Sequence, residues 1–217
     1  MPHDVVAVAF DYGGVLTTPL ADTFDAWMRE DRIDPASLTD ALRDWLAADS
    51  PVGNPVHRLE TGAMTPSAFG ALLGAQLRTV DGGALDTEHL LDRMFAELRP
   101  EPSMLELVGS LRERSVATAL LSNSWGNTYP MELLTPLFDV VVISGEVGLR
   151  KPDPAIYHHT LDARGVPAHR AAFVDDLRPN VDAAAAVGMH AILHTDTAST
   201  TSALTALIHP REENLHA

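Results

Sequence analysis

A chain of 217 residues, 46% hydrophobic and 21% charged, carries enough apolar material for one generous domain or a core with a smaller lobe, and too much for disorder. Its net charge of −15 repels nucleic acid and anionic membranes, so an anionic ligand requires a local cation or metal ion that reverses the field. The lack of cysteine excludes disulfides, zinc–thiolate centres and thiol nucleophiles, and it suits a reducing compartment.

The opening "MPHDVVAVAF" has no basic n-region and no long apolar stretch, and no apolar run reaches the roughly 20 residues of a membrane span. The expectation is a cytoplasmic protein with neither a membrane nor a nucleic-acid partner.

Along the chain, apolar runs recur at Val5–Phe10, Val116–Leu121, Val140–Ser144, Ala172–Val174 and Ala191–His194. They do not alternate with polar residues, the pattern of strands buried on both faces of a parallel sheet. The stretch 17–99 has no convincing strand. It carries amphipathic helical patterns over Ala21–Arg29, Ala36–Ala48, Pro66–Arg78 and Glu88–Leu98, separated by loops such as "DSPVGNP" and "VDGGALD". From Pro102 onward strands and helices alternate. In "KPDPAIYHHTLDARG", Asp153 is the expected N-cap, Pro154 the first helical residue and Gly165 the residue just past the end, while Gly188 closes an alanine-rich helix.

These patterns predict an α/β fold: a doubly wound parallel sheet with a helical cap inserted after the first strand. Residues 1–16 and 100–217 form the expected core, and residues 17–99 the expected cap. An insert leaving the sheet after its first strand stands over the C-terminal edge, where such sheets bind ligands.

Four strand ends at that edge carry chemistry-bearing residues. The run "AVAFDYGGVL" ends its strand in Asp11, then removes the side chains at Gly13 and Gly14, which lets a ligand approach the backbone. A turn aspartate is the competing reading. "ALLSNSW" places Ser122 and Asn123 after the second core strand, where a hydroxyl and an amide could hold phosphate oxygens; Ser-Asn is also an ordinary turn. Lys151, in "GLRKPDP", is the single lysine of a chain whose other cations are arginines, which suggests a site needing a compact ammonium, although one lysine must fall somewhere. "AAFVDDLRPN" ends in Asp175 and Asp176, adjacent acids that repel unless a cation lies between them and so read as a Mg²⁺ site; an N-cap with a solvated neighbour is the plainer reading.

The order "FDYGGVL", "LLSNSW", "GLRKPDPAIY", "FVDDLRPNV" resembles the four motifs of the haloacid dehalogenase superfamily, and within it the N-terminal phosphatase domain of soluble epoxide hydrolases and related bacterial phosphatases. The resemblance spans essentially the whole chain, and "ETG" at 60–62 before a helix is similar to part of that cap. It implies Asp11 as the nucleophile forming an aspartyl-phosphate, Ser122 and Lys151 as phosphoryl ligands, and Mg²⁺ held by Asp11, the carbonyl of Gly13 and Asp176, with Asp175 direct or one shell out. Gly13, Gly14, Asn123 and Trp125 would line the substrate site. The implied substrate is a small phosphorylated metabolite, and the chain a monomer or homodimer.

One position departs from that pattern. The family's phosphatases usually carry a second aspartate two residues after the nucleophile, as the acid that protonates the leaving oxygen, and here that residue is Gly13. Three consequences stand open. A cap residue such as His57, Asp49 or Glu60 supplies the proton; the substrate carries a good leaving group, such as an anomeric sugar phosphate or an acyl phosphate; or the protein is a slow or silent binder of a phosphorylated ligand. A metal-independent dehalogenase also lacks the second aspartate, but resembling dehalogenases lack the pair Asp175–Asp176. His158 and His159 read as surface or packing residues, Trp27 and Trp45 as cap core, Trp125 as pocket wall or loop brace, and the tail "HPREENLHA" as frayed.

Overall fold

The computed structural model describes residues 5–47, 50–126 and 129–208; Asp49 and the tail 209–217 lie outside them. In chain order the elements are β1 (Ala7–Phe10), α1 (Leu20–Glu30), α2 (Pro35–Leu46), α3 (Pro55–Glu60), α4 (Pro66–Gly74), α5 (Leu90–Met94) and α6 (Pro102–Glu113). They continue with β2 (Ala117–Ser122), α7 (Met131–Leu134), β3 (Val140–Ile143), α8 (Ser144–Val147), α9 (Pro154–Arg164), β4 (Ala171–Asp175), α10 (Arg178–Val187), β5 (His190–Leu193) and α11 (Thr197–Ile208).

The five strands form one parallel sheet in the order β3-β2-β1-β4-β5. All five apolar runs of the sequence are strands of it. β1 lies at the centre, with Phe10 in register with Leu120 on one side and Val174 on the other. Both faces are covered, which is why the runs are continuously apolar. Val8, Phe10, Leu120 and Val174 pack with Met104, Val108 and Leu204 of α6 and α11. Ala9, Leu121 and Phe173 pack on the other face with Ile156, Tyr157 and Ala184 of α9 and α10. The strand order reverses at β1, so the crevice at the C-terminal ends of β1, β2 and β4 is where a ligand site belongs in a doubly wound sheet.

Local signals hold where they were sharp. Asp153 accepts from the Ala155 amide with Pro154 in the first turn, and Gly165 and Gly188 end α9 and α10 in the left-handed region at φ 69° and 98°.

Helices α1–α5 bury Trp27, Leu59, Phe69, Leu73 and Met94 around a hydrophobic cluster of their own, with Trp45 packed against it. Two of the expected cap helices are shorter. The Pro66–Arg78 pattern stops at Gly74, and the Glu88–Leu98 pattern is helical only over Leu90–Met94, because His89 at its start takes φ 52°. A further helix, α3, begins at Pro55 and is capped by the Asn54 side chain. Among the described residues no helix is long and apolar enough to cross a membrane.

Candidate active site

Asp11 follows β1, and its amide extends the ladder by donating to the Val174 carbonyl at 2.9 Å. That bond sets the carboxylate at the sheet edge. Its Oδ1 accepts from the Tyr12 amide at 2.7 Å and meets Lys151 Nζ at 2.7 Å. The same ammonium lies 2.7 Å from Asp175 Oδ2 and 5.4 Å from the centre of the Phe173 ring. Lys151 is 1% exposed. Burial alone would depress its pKa, but Asp11 and Asp175 outweigh that and hold the ammonium above its ordinary value. The ammonium meets both carboxylates from a single atom, the compact point charge that distinguishes lysine from a planar guanidinium.

The two acids of the adjacent pair differ. Asp175 is fully buried, and both its oxygens are engaged: Oδ1 accepts from the Leu177 amide at 2.8 Å, Oδ2 from Lys151, and the Asn180 amide group reaches both at 3.0 and 3.1 Å. Asp176 is half-buried, and it lies directly against Gly14, whose φ is +77°. A Cβ at Gly14 would overlap its carboxylate. Oxygens of Asp11, Asp175 and Asp176 lie within 4.8 Å of one another. Burial pushes the Asp11 carboxyl up to about 7 against the pull of Lys151, with Asp175 pushing the same way. Burial, then Asp175, raises Asp176 to about 6. Three carboxylates around one ammonium leave an excess of two negative charges, and a small site of oxygen donors with that excess suits a divalent hard cation such as Mg²⁺.

Ser122 ends β2, buried, with its hydroxyl 2.9 Å from the Tyr129 hydroxyl. Asn123 clamps the main chain of Lys151: its Oδ1 accepts from the Lys151 amide at 2.8 Å and its Nδ2 donates to the Lys151 carbonyl at 3.0 Å. Trp125 lines the site and also braces it, since its indole N–H donates to Glu60 Oε1 at 3.0 Å.

These groups open into a cavity of about 290 Å³ between the sheet edge and the helices above it. Asp11, Gly13, Ser122, Lys151 and Asp176 lie at its polar end. Its other walls are mainly apolar, formed by Leu20, Phe24, Leu46, Phe95, Leu98, Trp125 and Leu177, with Tyr12 beside Asp11. Of the remaining polar side chains on the wall, Glu60, Asn123 and Asn180 are already hydrogen-bonded within the protein.

The three substitutes for an acid at position 13 fare differently. Glu60 reaches the wall, but both its oxygens accept, from Trp125 and from Arg150 Nε at 2.5 Å. His57 is not part of the lining; burial and then Arg150 hold its imidazole below its ordinary pKa. Asp49 lies outside the described residues. His158 and His159 are exposed on α9, away from the cavity lining. Sequence reasoning missed Arg150, Tyr129 and Asn180. Arg150 adjoins the singular lysine, but its partner Glu60 lies 90 positions away, and Asn180 stands one helical turn past the acidic pair, five residues after the Asp175 it bonds.

A family model described as "Hydrolase: haloacid dehalogenase-like hydrolase" matches residues 5–188. The chain belongs to the haloacid dehalogenase-like hydrolases. Among curated relatives of this family, it is 35% identical to the sesquiterpene phosphatase astK of Aspergillus oryzae over 93% of this chain and 96% of that protein. It is 27% identical to the pig bifunctional epoxide hydrolase 2 over 88% of this chain but 36% of that protein, so it spans about a third of that enzyme's length. A family enzyme of Bacteroides thetaiotaomicron, solved with magnesium and inorganic phosphate, shares the fold with a TM-score of 0.63 and 18% identity over 88% of this chain and 94% of that one. The chain is accordingly a hydrolase with the α/β fold of that family.

Proposed function

We propose that this hydrolase is a Mg²⁺-dependent phosphatase that cleaves the phosphate monoester of a small apolar alcohol through an aspartyl-phosphate on Asp11. The observation that carries the reading is the division of one cavity into a charged end and an apolar remainder. With Asp11 Oδ1 held by Lys151 and the Tyr12 amide, Oδ2 is the oxygen left to attack phosphorus. A bond forms from Oδ2 to phosphorus as the bond to the alcohol oxygen breaks. Water then attacks the same phosphorus, releasing phosphate and restoring the carboxylate.

Lys151 and Ser122 bind phosphoryl oxygens, with the ammonium supplying charge that costs no reorganisation during the reaction. Asp11, Asp176 and the Gly13 carbonyl would hold Mg²⁺, while Asp175, its oxygens already engaged, holds Lys151 and the start of α10 in place. Bound there, Mg²⁺ neutralises phosphoryl charge as the bonds exchange.

Gly13 offers no proton to the departing oxygen, which draws it from water, so turnover favours acidic leaving groups. An anomeric sugar phosphate has such a leaving group, but its ring hydroxyls would meet leucine and phenylalanine, at the desolvation cost of unpaired polar groups. Aryl and enol phosphates satisfy both demands. The sesquiterpene phosphatase among the relatives is consistent with an apolar substrate. A metal-free dehalogenase would leave the excess negative charge of the carboxylates unmatched.

The test is hydrolysis of p-nitrophenyl phosphate and of a panel of aryl, alkyl and sugar phosphates, in Mg²⁺ and in EDTA, with Asp11→Asn as control. Turnover that needs both Mg²⁺ and Asp11, fastest on apolar aryl esters, is expected. Turnover that persists in EDTA removes the metal from the proposal. No turnover by folded protein that binds Mg²⁺ leaves a silent binder.

A further inference from the structure

Glu60 ends α3 and is 6% exposed, a carboxylate buried at the junction between the helical insert and the sheet. Its three acceptor oxygens all reach across that junction. Oε1 accepts from the Trp125 indole at 3.0 Å, in the loop after β2. Oε2 accepts from Arg150 Nε at 2.5 Å, one residue before Lys151. Its main-chain carbonyl accepts from the Ser144 hydroxyl at 2.5 Å, and Ser144 Oγ in turn accepts from the Ser124 amide at 2.8 Å. Two residues on, Gly62 takes φ +73° and passes so close to the Gly145 carbonyl that a Cβ would overlap it.

The two arms lead to different parts of the site. Trp125 packs edge-on against Phe69, with ring centres 5.5 Å apart, and against Phe24 at 6.5 Å, so the indole is the piece of the core that completes the apolar wall. Arg150 continues into Lys151, whose main chain Asn123 clamps on both sides. The loop 122–125 and the segment 150–151 are thus tied to each other by Asn123 and to α3 by Glu60.

We infer that Glu60 is a positioning residue, joining the cap to the apolar wall through Trp125 and to the phosphoryl-binding lysine through Arg150. This role rests on the phosphatase reading for its effect on turnover, but the coupling itself does not. It explains why a carboxylate sits on an apolar wall without touching the reacting atoms. A full charge is buried there because two donors from separate segments converge on it, and the pairing is lost if either segment moves.

Three variants test it: Trp125→Phe, which deletes the indole N–H, Arg150→Gln, and Glu60→Gln. Trp125→Phe acts mainly on KM for apolar substrates, and Arg150→Gln mainly on kcat. Glu60→Gln acts on both, with kcat falling about tenfold or more, as misplacement of aligned groups does. The double variant Glu60→Gln/Arg150→Gln regains stability, because no charge is left buried alone, but not kcat. Recovery of kcat along with stability overturns the proposal.

A second readout needs no turnover. In Glu60→Gln the amides of Ser124 and Lys151 exchange hydrogen faster, while that of Asp11, bonded within the sheet, does not. Unchanged exchange at all three, or equal acceleration at all three, overturns the coupling. A wild-type chain that hydrolyses no phosphate ester overturns the phosphatase reading alone, and the exchange result still decides the role of Glu60.

Discussion

Gly14 is packed against the Asp176 carboxylate so closely that no side chain fits between them. The same glycine holds φ +77°, where an alanine is strained whatever the space. Gly14→Ala therefore carries a backbone cost of roughly 1–2 kcal/mol and also pushes Asp176 off its position. The expected result is a modest loss of stability with a larger loss of Mg²⁺ affinity, read by titration calorimetry beside thermal unfolding. If affinity falls no further than stability does, Asp176 is not a ligand.

Lys151 bridges Asp11 and Asp175, at 2.7 Å from each. Lys151→Met strands both carboxylates in a site with almost no exposure. Removing one partner of a buried ion pair costs about 3–5 kcal/mol, and urea unfolding in EDTA is expected to fall in that range. Adding Asp11→Asn to Lys151→Met removes one stranded charge and recovers part of the loss. No recovery means the lysine supports the fold by packing rather than charge.

The raised acids make a signed prediction about pH. Without metal, Asp11 titrates at about 7 and Asp176 at about 6, both above the ordinary aspartate value of 3.8. The folded chain therefore binds protons between roughly pH 4 and 7 that the unfolded chain has released, and stability falls as pH rises through that window. Measured in EDTA from pH 5 to 8, wild type loses more stability than Asp11→Asn, and Mg²⁺ restores more at pH 8 than at pH 5. The variant is the reference because the depressed His57 and His194 act in the opposite direction, adding stability as pH rises towards their ordinary value of 6.5. Parallel curves for the two proteins refute the assignment to Asp11.

Sheet and site were legible to different depths. The five strands could be read because burial on both faces leaves no room for polar alternation, and α9 because Asp153, Pro154 and Gly165 punctuate it. Asp11, Lys151 and the acidic pair could be read because each is an expensive residue at the end of an apolar strand. The hold of Asn123 on Lys151 could not be read, because its side chain turns back onto the backbone of a residue 28 positions away. Glu60 and Arg150 were opaque for a related reason: they sit 90 positions apart, and an ordinary surface pair looks the same in one dimension. The boundaries of α4 and α5 failed because the apolar pattern runs on past Gly74 and Met94, and because nothing in it marks the left-handed backbone of His89.

The missing acid yields the last prediction. Gly13 has no positive φ, and the atoms nearest to a Cβ there are the Leu20 methyls, at 3.3 Å, the flexible end of a side chain that can yield by a few tenths of an ångström. An aspartate is therefore tolerated at this position, unlike at Gly14, and it would stand at the polar end of the cavity beside Asp11. General acid catalysis is worth about 10²–10⁴ in rate when fully aligned, and an unoptimised carboxyl is expected to reach the lower end. The gain belongs to poor leaving groups, which need the proton, and not to p-nitrophenol, which departs without it. Plotted against leaving-group pKa for a series of substituted phenyl and alkyl phosphates, kcat for Gly13→Asp should fall less steeply than for wild type, with the lines converging at the acidic end. Equal slopes with lower rates throughout would mean that the wild-type chain already protonates its leaving group from another residue, and that Gly13 costs the enzyme nothing.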